Sequence, residues 1–363
     1  MILWFAAAAA VGGSLAARAS RRRGEASGEQ VPPPAARVAL LSTDRLDWDA
    51  KLSFAALEAA AGSGGTLVRF SGTMPGQVAP RALLANASVL VTKELPVTAK
   101  QIAALPSTVE LIVEAGTGYN NIDIQAARAR GITVCACPAY STEAVATQVL
   151  TFLLAFSSSL HRLQALARDG NHAKWASVGD MPHFELRGKT LGLVGGRGNI
   201  GSEVARLART FGMRVLVSSR TKARMVGAEV VTDVEELLER SDFVSIHCPL
   251  NADTRGFIDG AKLAMMKRSA FLINTARGAI VDEAALCSAI KNGIIAGAGL
   301  DVFSNEPLPK TSPLWELICS QDPRVMLTPH IGWQRLETRQ RLMSLVADNV
   351  RAFLREKPIN VVN

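Results

Sequence analysis

One stretch constrains the chain more than any other: residues 190–220, TLGLVGGRGNIGSEVARLARTFGMRVLVSSR. It opens on an apolar run, Leu191 to Val194, that reads as a buried strand, and then enters a glycine-rich loop. Val204, Leu207, Ala208 and Phe211 follow at helical spacing, and Val215 to Val217 forms a second apolar run. Strand, turn, helix and strand within roughly thirty residues make one βαβ unit. The loop carries Gly196-Arg197-Gly198-Asn199-Ile200-Gly201, a G-x-G-x-x-G preceded by one further glycine, Gly195. On this spacing Gly196 permits the tight turn, Gly198 lets the backbone approach a pyrophosphate, and Gly201 lets the helix pack close to the strand. Free N–H groups at the helix start then face an anion. In this setting the motif predicts dinucleotide binding at Gly196, Gly198, Asn199, Ile200 and Gly201.

The end of the second strand chooses between nicotinamide cofactors. A carboxylate there bonds the ribose 2′-hydroxyl of NAD, whereas an arginine accommodates the 2′-phosphate of NADP. The strand ends Ser218-Ser219-Arg220-Thr221, with Lys222 and Arg224 beyond, and no acid stands in it. Ser219 can donate to a phosphate and Arg220 can pair with it, so Ser219, Arg220 and Thr221 favour NADP(H), with NAD(H) as the alternative.

The 363 residues suffice for two domains, and 48% apolar content is that of a globular chain. The formal charge of +8 is spread along the body without a long basic block. It suits anionic small molecules and gives no reason to expect nucleic acid as a partner. The five cysteines, Cys135, Cys137, Cys248, Cys287 and Cys319, are odd in number, and three lie in apolar runs. Cys135 and Cys137 have no further Cys or His cluster to complete a metal site, so no metal is expected and the thiols read as reduced.

Residues 1–17, MILWFAAAAAVGGSLAA, are apolar and uncharged, and Arg18 and Arg21-Arg22-Arg23 follow. They suggest an organelle-targeting segment (mitochondrion or plastid), although the basic start of a standard signal peptide is lacking. The alternatives are a short anchor, with the arginines keeping the body on the cytoplasmic face, or a plain cytoplasmic extension. Membrane contact is thus expected only through residues 1–17, and the segment to residue 36 ends in a linker.

From Arg37 apolar runs alternate with helical stretches such as 53–61 and 123–130. The runs are Val38 to Leu41, Thr66 to Phe70, Val89 to Val91, Leu111 to Val113 and Ile132 to Cys135. This is the pattern of a parallel α/β domain. Ser141 is placed to cap a long helix running to about residue 167, apolar on most faces and so suited to a place between domains or in a dimer interface. Further strands are expected at 243–247, 271–274, 296–302 and 325–328, and an amphipathic helix at 334–355. The fold class expected is α/β: two Rossmann-like or flavodoxin-like parallel-sheet domains with a cleft between them. A substrate domain would hold 37–138 and 334–363, and a nucleotide domain 139–333.

Three of the later strands end in isolated polar residues: Asn274-Thr275-Ala276-Arg277-Gly278, Leu300-Asp301 with Glu306 after it, and Thr328-Pro329-His330. In open parallel sheets ligands sit beyond the carboxyl ends of the strands. A guanidinium at Arg277 can grip a carboxylate through paired hydrogen bonds. A histidine at His330 can exchange a proton near neutral pH, and a carboxylate at Glu306 against its other nitrogen would fix the tautomer and stabilise the imidazolium.

NTARGAIVDEAAL, GLDVFSNEPLP and LTPHIGW, with GTGYNNIDIQAARARGITV and PAYSTEAVATQVLTFLLA upstream, resemble the NAD(P)-dependent D-isomer-specific 2-hydroxyacid dehydrogenases over about residues 37–363. VTKELPVTAKQIAALP, Trp333 and the ending KPINVVN are most similar to its glycerate dehydrogenase (hydroxypyruvate reductase) type. The resemblance implies a homodimer that reduces hydroxypyruvate or glyoxylate. It implies Arg277 on the substrate, Glu306 paired with His330, His330 as proton donor and Asp301 on the nicotinamide carboxamide. It also implies the amides of Gly116-Thr117-Gly118 around the substrate carboxylate and Pro249, Thr254, Thr275 and Ala276 as further cofactor contacts, while Lys93 is either a further substrate contact or a surface lysine. Two positions depart from the family pattern. Ser219 stands where Asp is common, and Thr147-Gln148 stands where Glu or Gln followed by His is common, a change expected to concern only a hinge helix. The other readings are a phosphoglycerate or D-lactate dehydrogenase and, from another class, a non-catalytic dinucleotide-sensing interaction protein.

Overall fold

The computed structural model describes residues 34–72, 84–170, 172–177, 183–219, 224–320 and 322–363. The expectations for residues 1–33, targeting or anchoring, and for Arg220 and Thr221 lie outside the described residues. The chain divides into two compact units, one running to Pro138 and joined by Met343–Asn363, the other Ala139–Leu342. The second break falls inside the last helix, Leu336–Leu354.

The first unit holds a five-stranded sheet of β1 (Arg37–Leu40), β2 (Thr66–Arg69), β3 (Val89–Thr92), β4 (Leu111–Glu114) and β5 (Thr133–Cys135). The order is β2-β1-β3-β4-β5 and every pairing is parallel. That is a flavodoxin-like doubly wound order. β3 and β4 are buried along their whole length, because helices such as Ala99–Ala104 and Ile124–Ala129 cover the sheet. The core beneath them is built from Leu41, Leu90, Ile102, Val109, Ile112 and Val134. The last residues return to this unit. Val362 N donates to Val134 O, Asn363 Oδ1 accepts Val134 N, and Val361 bridges Cys135 antiparallel.

The second unit holds seven parallel strands: β6 (Thr190–Val194), β7 (Arg214–Ser218), β8 (Glu229–Val231), β9 (Phe243–Ile246), β10 (Phe271–Asn274), β11 (Gly297–Leu300) and β12 (Val325–Leu327). The order β12-β11-β10-β9-β6-β7-β8 reverses direction at β6, the strand that feeds the glycine loop. Chain order reversing at a central strand opens a crevice at its carboxyl end, and ligands of such sheets bind there. β9, β10 and β11 are buried throughout, and apart from the buried Ser245 in β9 they carry no polar side chain before the strand ends.

Five local expectations are corrected. The long helix is two, Thr142–Ser157 and Leu160–Arg168, bent by 66° at the break. The Ser157 and Ser158 hydroxyls both donate back to Leu154 O, and Ser159 takes a left-handed conformation at φ 48°. Serine hydroxyls that bond the preceding turn compete with the helical ladder. Ser141 stands at the N-cap but makes no side-chain capping bond. The first helix packs on Asn199–Thr210 and fills the core with Val149, Phe152, Leu153 and Phe156. Among the described residues no single helix is long and apolar enough to cross a membrane.

The remaining corrections concern the glycine loop and the edge strands. The positive-φ turn glycine is Gly195, at φ 76°, not Gly196. Phe211 lies one residue past the Asn199–Thr210 helix and is 41% exposed. β8 was not expected, because an edge strand exposed at Glu229 carries little apolar signal.

Gly201 keeps the role that its spacing gives it. A Cβ there would lie 2.5 Å from both the Gly196 Cα and its carbonyl oxygen, so the helix touches the turn backbone. Gly201→Ala must push helix and turn apart. Equilibrium denaturant unfolding is expected to show a loss of about 1–3 kcal/mol, together with weaker nucleotide binding.

Candidate active site

The glycine loop leaves β6 at Gly195, which cannot carry a side chain because Cys248 backbone atoms would lie 2.7 Å from its Cβ. Gly198 is the N-cap of the Asn199–Thr210 helix and offers no side-chain cap. A Cβ on Gly198 would meet nothing within 4 Å, so its backbone faces open space. Helix N–H groups without a cap, beside a bare backbone, suit a pyrophosphate. Ser219, just past β7, donates its N–H to Val231 O and is half-buried. Beyond β9, Thr254 donates to Pro249 O at 2.6 Å, so these two expected cofactor contacts form one turn. Beyond β10, Ala276 N donates to Asn274 Oδ1, while the buried Thr275 Oγ1 has no hydrogen-bond partner among the described residues. A buried hydroxyl without a partner is costly, and a bound dinucleotide at this strand end would satisfy it.

Arg277 follows at once, half-buried, with its carbonyl held by Asn274 Nδ2 at 2.9 Å and its guanidinium donating to Ala276 O. From the next loop Glu306 Oε2 meets His330 Nδ1 at 2.7 Å, and its Oε1 accepts the Phe303 N–H at 3.0 Å. A carboxylate at this distance makes Nδ1 the donor and turns Nε2 outward for proton exchange. His330 sits at φ 54°, a left-handed backbone that a non-glycine residue adopts only when its surroundings hold it there. What holds it is Asp301. The Asp301 carbonyl accepts His330 N at 2.7 Å, Oδ1 accepts Ile331 N and the Thr328 hydroxyl, and Oδ2 accepts Gly332 N. Asp301 is 2% exposed, and burial raises its carboxyl above the ordinary aspartate range. Its oxygens thus hold the histidine turn, a role beyond the contact implied by resemblance.

Gln148 Nε2 donates to Thr328 Oγ1 at 3.3 Å. The departure at Thr147-Gln148 therefore touches the brace behind His330 and is not confined to a hinge. His247, past β9, is pushed down to about 4 by burial and stays neutral at pH 7, bonded to Ser245 at 2.9 Å.

The first unit carries its own polar cluster at the ends of β3 and β4. Lys93, which sequence reading left open between a surface lysine and a substrate contact, is 1% exposed, and its Nζ lies 2.8 Å from Glu94 Oε1. Arg45 also pairs with Glu94. Glu114, the last residue of β4, is fully buried; it accepts the Glu94 N–H at 3.0 Å and Asn121 Nδ2 at 2.9 Å. A Cβ on Gly116 would lie 3.1 Å from Glu114 Oε1 and 3.6 Å from Lys93 Nζ, so the Gly116–Gly118 loop rests on this cluster. Cys137 N donates to Gly116 O, and Thr117 Oγ1 donates to Cys137 O.

A family model described as D-isomer specific 2-hydroxyacid dehydrogenase, NAD binding domain, matches residues 150–332. The chain is 40% identical over 276 residues to glyoxylate reductase of Korarchaeum cryptofilum, covering 74% of this chain and 80% of that protein. The chain belongs to the D-isomer specific 2-hydroxyacid dehydrogenase family. It is also 37% identical to glycerate dehydrogenase of Methylorubrum extorquens, over 77% of this chain and 86% of that one. Among solved structures it resembles the NADPH-dependent glyoxylate/hydroxypyruvate reductase of Sinorhizobium meliloti in complex with NADP and malonate. That match has 29% identity and a TM-score of 0.75, over 91% of this chain and 97% of that one. The protein is thus an oxidoreductase with an NAD-binding domain, and among its described residues no cluster of three or more His, Cys, Asp or Glu could hold a metal.

In this dehydrogenase the residue that sequence reading passed over is Glu114. Its only signal was an acid closing the otherwise apolar run LIVE. Burial raises it from 4.5 to about 7, against the pull of Lys93 and Asn121. The unfolded carboxyl ionises near 4.5, so between about 4.5 and 7 only the folded state holds the proton, and stability falls as pH rises. Glu114→Gln should remove that slope. Urea unfolding should find the variant gaining up to about 3 kcal/mol on the parent between about pH 5 and pH 8, and parallel curves would refute the assignment.

Proposed function

We propose that the protein reduces hydroxypyruvate or glyoxylate to the D-2-hydroxy acid, with NADPH as the preferred reductant. The observation that carries the reading is the Glu306–His330 pair at 2.7 Å, Glu306 from the loop beyond β11 and His330 from the loop beyond β12, in the unit that holds the glycine loop. When bound, the nicotinamide supplies a hydride to the carbonyl carbon. The chain does the rest. Arg277 grips the substrate carboxylate through two parallel hydrogen bonds. His330, protonated and held through Nδ1 by Glu306, gives the Nε2 proton to the oxygen on which negative charge develops. Glu306 stabilises the imidazolium through that bond. In the first unit the Gly116–Gly118 amides and Lys93 form an anion-accepting element fit for a carboxylate.

The NADPH preference rests on Ser219 and Arg220 standing where an acid would bond the ribose of NAD. The substrate class is that of the similar glyoxylate reductase and glycerate dehydrogenase. We also propose a homodimer and delivery to an organelle by residues 1–17, each on sequence grounds alone.

Nicotinamide absorbance with purified protein tests the reading. Hydroxypyruvate with NADPH should turn over fastest, and His330→Ala should lower kcat at least about a hundredfold while NADPH still binds. Near-normal turnover of that variant would exclude His330 as the acid. Ser219→Asp should raise the KM for NADPH by about tenfold or more and spare NADH, because a carboxylate there repels the 2′-phosphate. An unchanged NADPH-to-NADH ratio would count against the cofactor reading.

A further inference from the structure

Glu306 rides on an outlying segment. Ser304, Asn305 and Pro307 are exposed, and burial resumes only at Leu314. A carboxylate on such a segment holds a 2.7 Å contact with His330 only if the segment is tied down at both ends. Both ends converge on one side chain. Glu283 Oε1 accepts the Ser304 N–H at 2.6 Å, and Glu283 Oε2 accepts the Ser312 hydroxyl at 3.3 Å. That hydroxyl also accepts Leu314 N, capping the Pro313–Cys319 helix.

Glu283 is itself fixed. It opens the Glu283–Lys291 helix, which Asp282 caps by accepting Ala285 N at 3.0 Å. The backbone between Arg277 and this helix lies directly on the segment's start: a Cβ on Gly278 would fall 1.9 Å from the Phe303 carbonyl carbon and 2.3 Å from Ser304 N. Phe303 in turn donates its N–H to Glu306 Oε1. One carboxylate therefore links the stretch bearing Arg277 to the stretch bearing Glu306.

We propose that Glu283 is the positioning residue of the acid–histidine pair. By clamping Ser304 and Ser312 it keeps Glu306 against His330 and so sets the pH range over which His330 carries its proton. The proposal rests on the reading of His330 as proton donor given above. The charged groups that the structure sets against His330 are Glu306 on this segment and Asp301 just past β11. Beside Glu283, Cys287 is one turn along the same helix; burial pushes its thiol up to about 11, leaving it neutral through the range tested.

The test is kcat against pH for oxo-acid reduction by the whole protein, its Glu283→Ala and Glu283→Gln variants, and His330→Ala as control. In Glu283→Ala the alkaline limb should move down by about one pH unit, a tenfold loss on that limb. The acid plateau and the nucleotide KM should stay within about threefold of the parent. Glu283→Gln should restore the parent profile, because its amide oxygen still accepts from Ser304 and its NH2 group donates to the Ser312 oxygen. Should Glu283→Ala fail to fold, Glu283→Asp carries the same test with the carboxylate drawn back by one methylene.

An alkaline limb unmoved in the folded variant overturns the proposal. So does a loss equal at every pH that tracks a lower Tm, since that is the mark of a purely structural residue. Both outcomes leave the proton-donor reading intact. Near-normal turnover by His330→Ala removes that reading and the proposal with it.

Discussion

A parallel strand covered on both faces has no solvent side on which to place a polar group. β9, β10 and β11 are buried along their length, and apart from Ser245, which bonds His247, their polar side chains appear only where the strands end. Asn274 closes β10 and Thr275 and Arg277 follow it, Asp301 follows β11, and Thr328 and His330 follow β12. Neighbouring parallel strands end at the same side of the sheet, so residues far apart in sequence become neighbours without any long-range instruction beyond strand register. The registers Asn274↔Leu300 and Leu300↔Leu327 bring the three strand ends level. The candidate chemistry of this unit is in that sense a by-product of how the sheet stays dry.

Placement alone does not make a proton donor. His330 needs a left-handed backbone, and an ordinary residue adopts one at a cost of about 1–2 kcal/mol. The buried Asp301 carboxylate meets that cost with two backbone N–H bonds and one hydroxyl bond, and Gln148 supports the hydroxyl from the Thr142–Ser157 helix. The charge on Asp301 is expensive to bury, and those donors are what make it tolerable. Glu306 receives a parallel service from Phe303 and Glu283. Each member of the pair is thus gripped by a different set of groups.

Much of this was legible in the amino-acid order, for identifiable reasons. Buried parallel strands are unbroken apolar runs, so nearly all of them could be read, and the strand-end positions of Arg277, Glu306 and His330 followed. What escaped has physical causes too. The break at Ser159 depends on hydroxyls bonding the preceding turn, which competes only weakly with an apolar pattern. Gly195 and Gly196 are adjacent glycines, and composition does not tell which takes the positive φ. Glu114 is a charge closing an apolar run, where hydropathy argues against it until its partners are seen. The contact of Gln148 with Thr328 spans 180 residues of sequence, and no local pattern could announce it.

The return of Met343–Asn363 to the first unit has a consequence in time as well as in space. Its residues bond β5 through Val134 and Ala136 and cover the free edge of that strand, where unpaired backbone would otherwise invite another chain. During synthesis these residues leave the ribosome after Ala139–Leu342. Ala139–Leu342, although second in sequence, has all its strands available before the first unit can close its edge. The order in which the two units mature is therefore the reverse of the order in which they begin to emerge, and the nascent first sheet must wait, with one edge open, for Met343–Asn363.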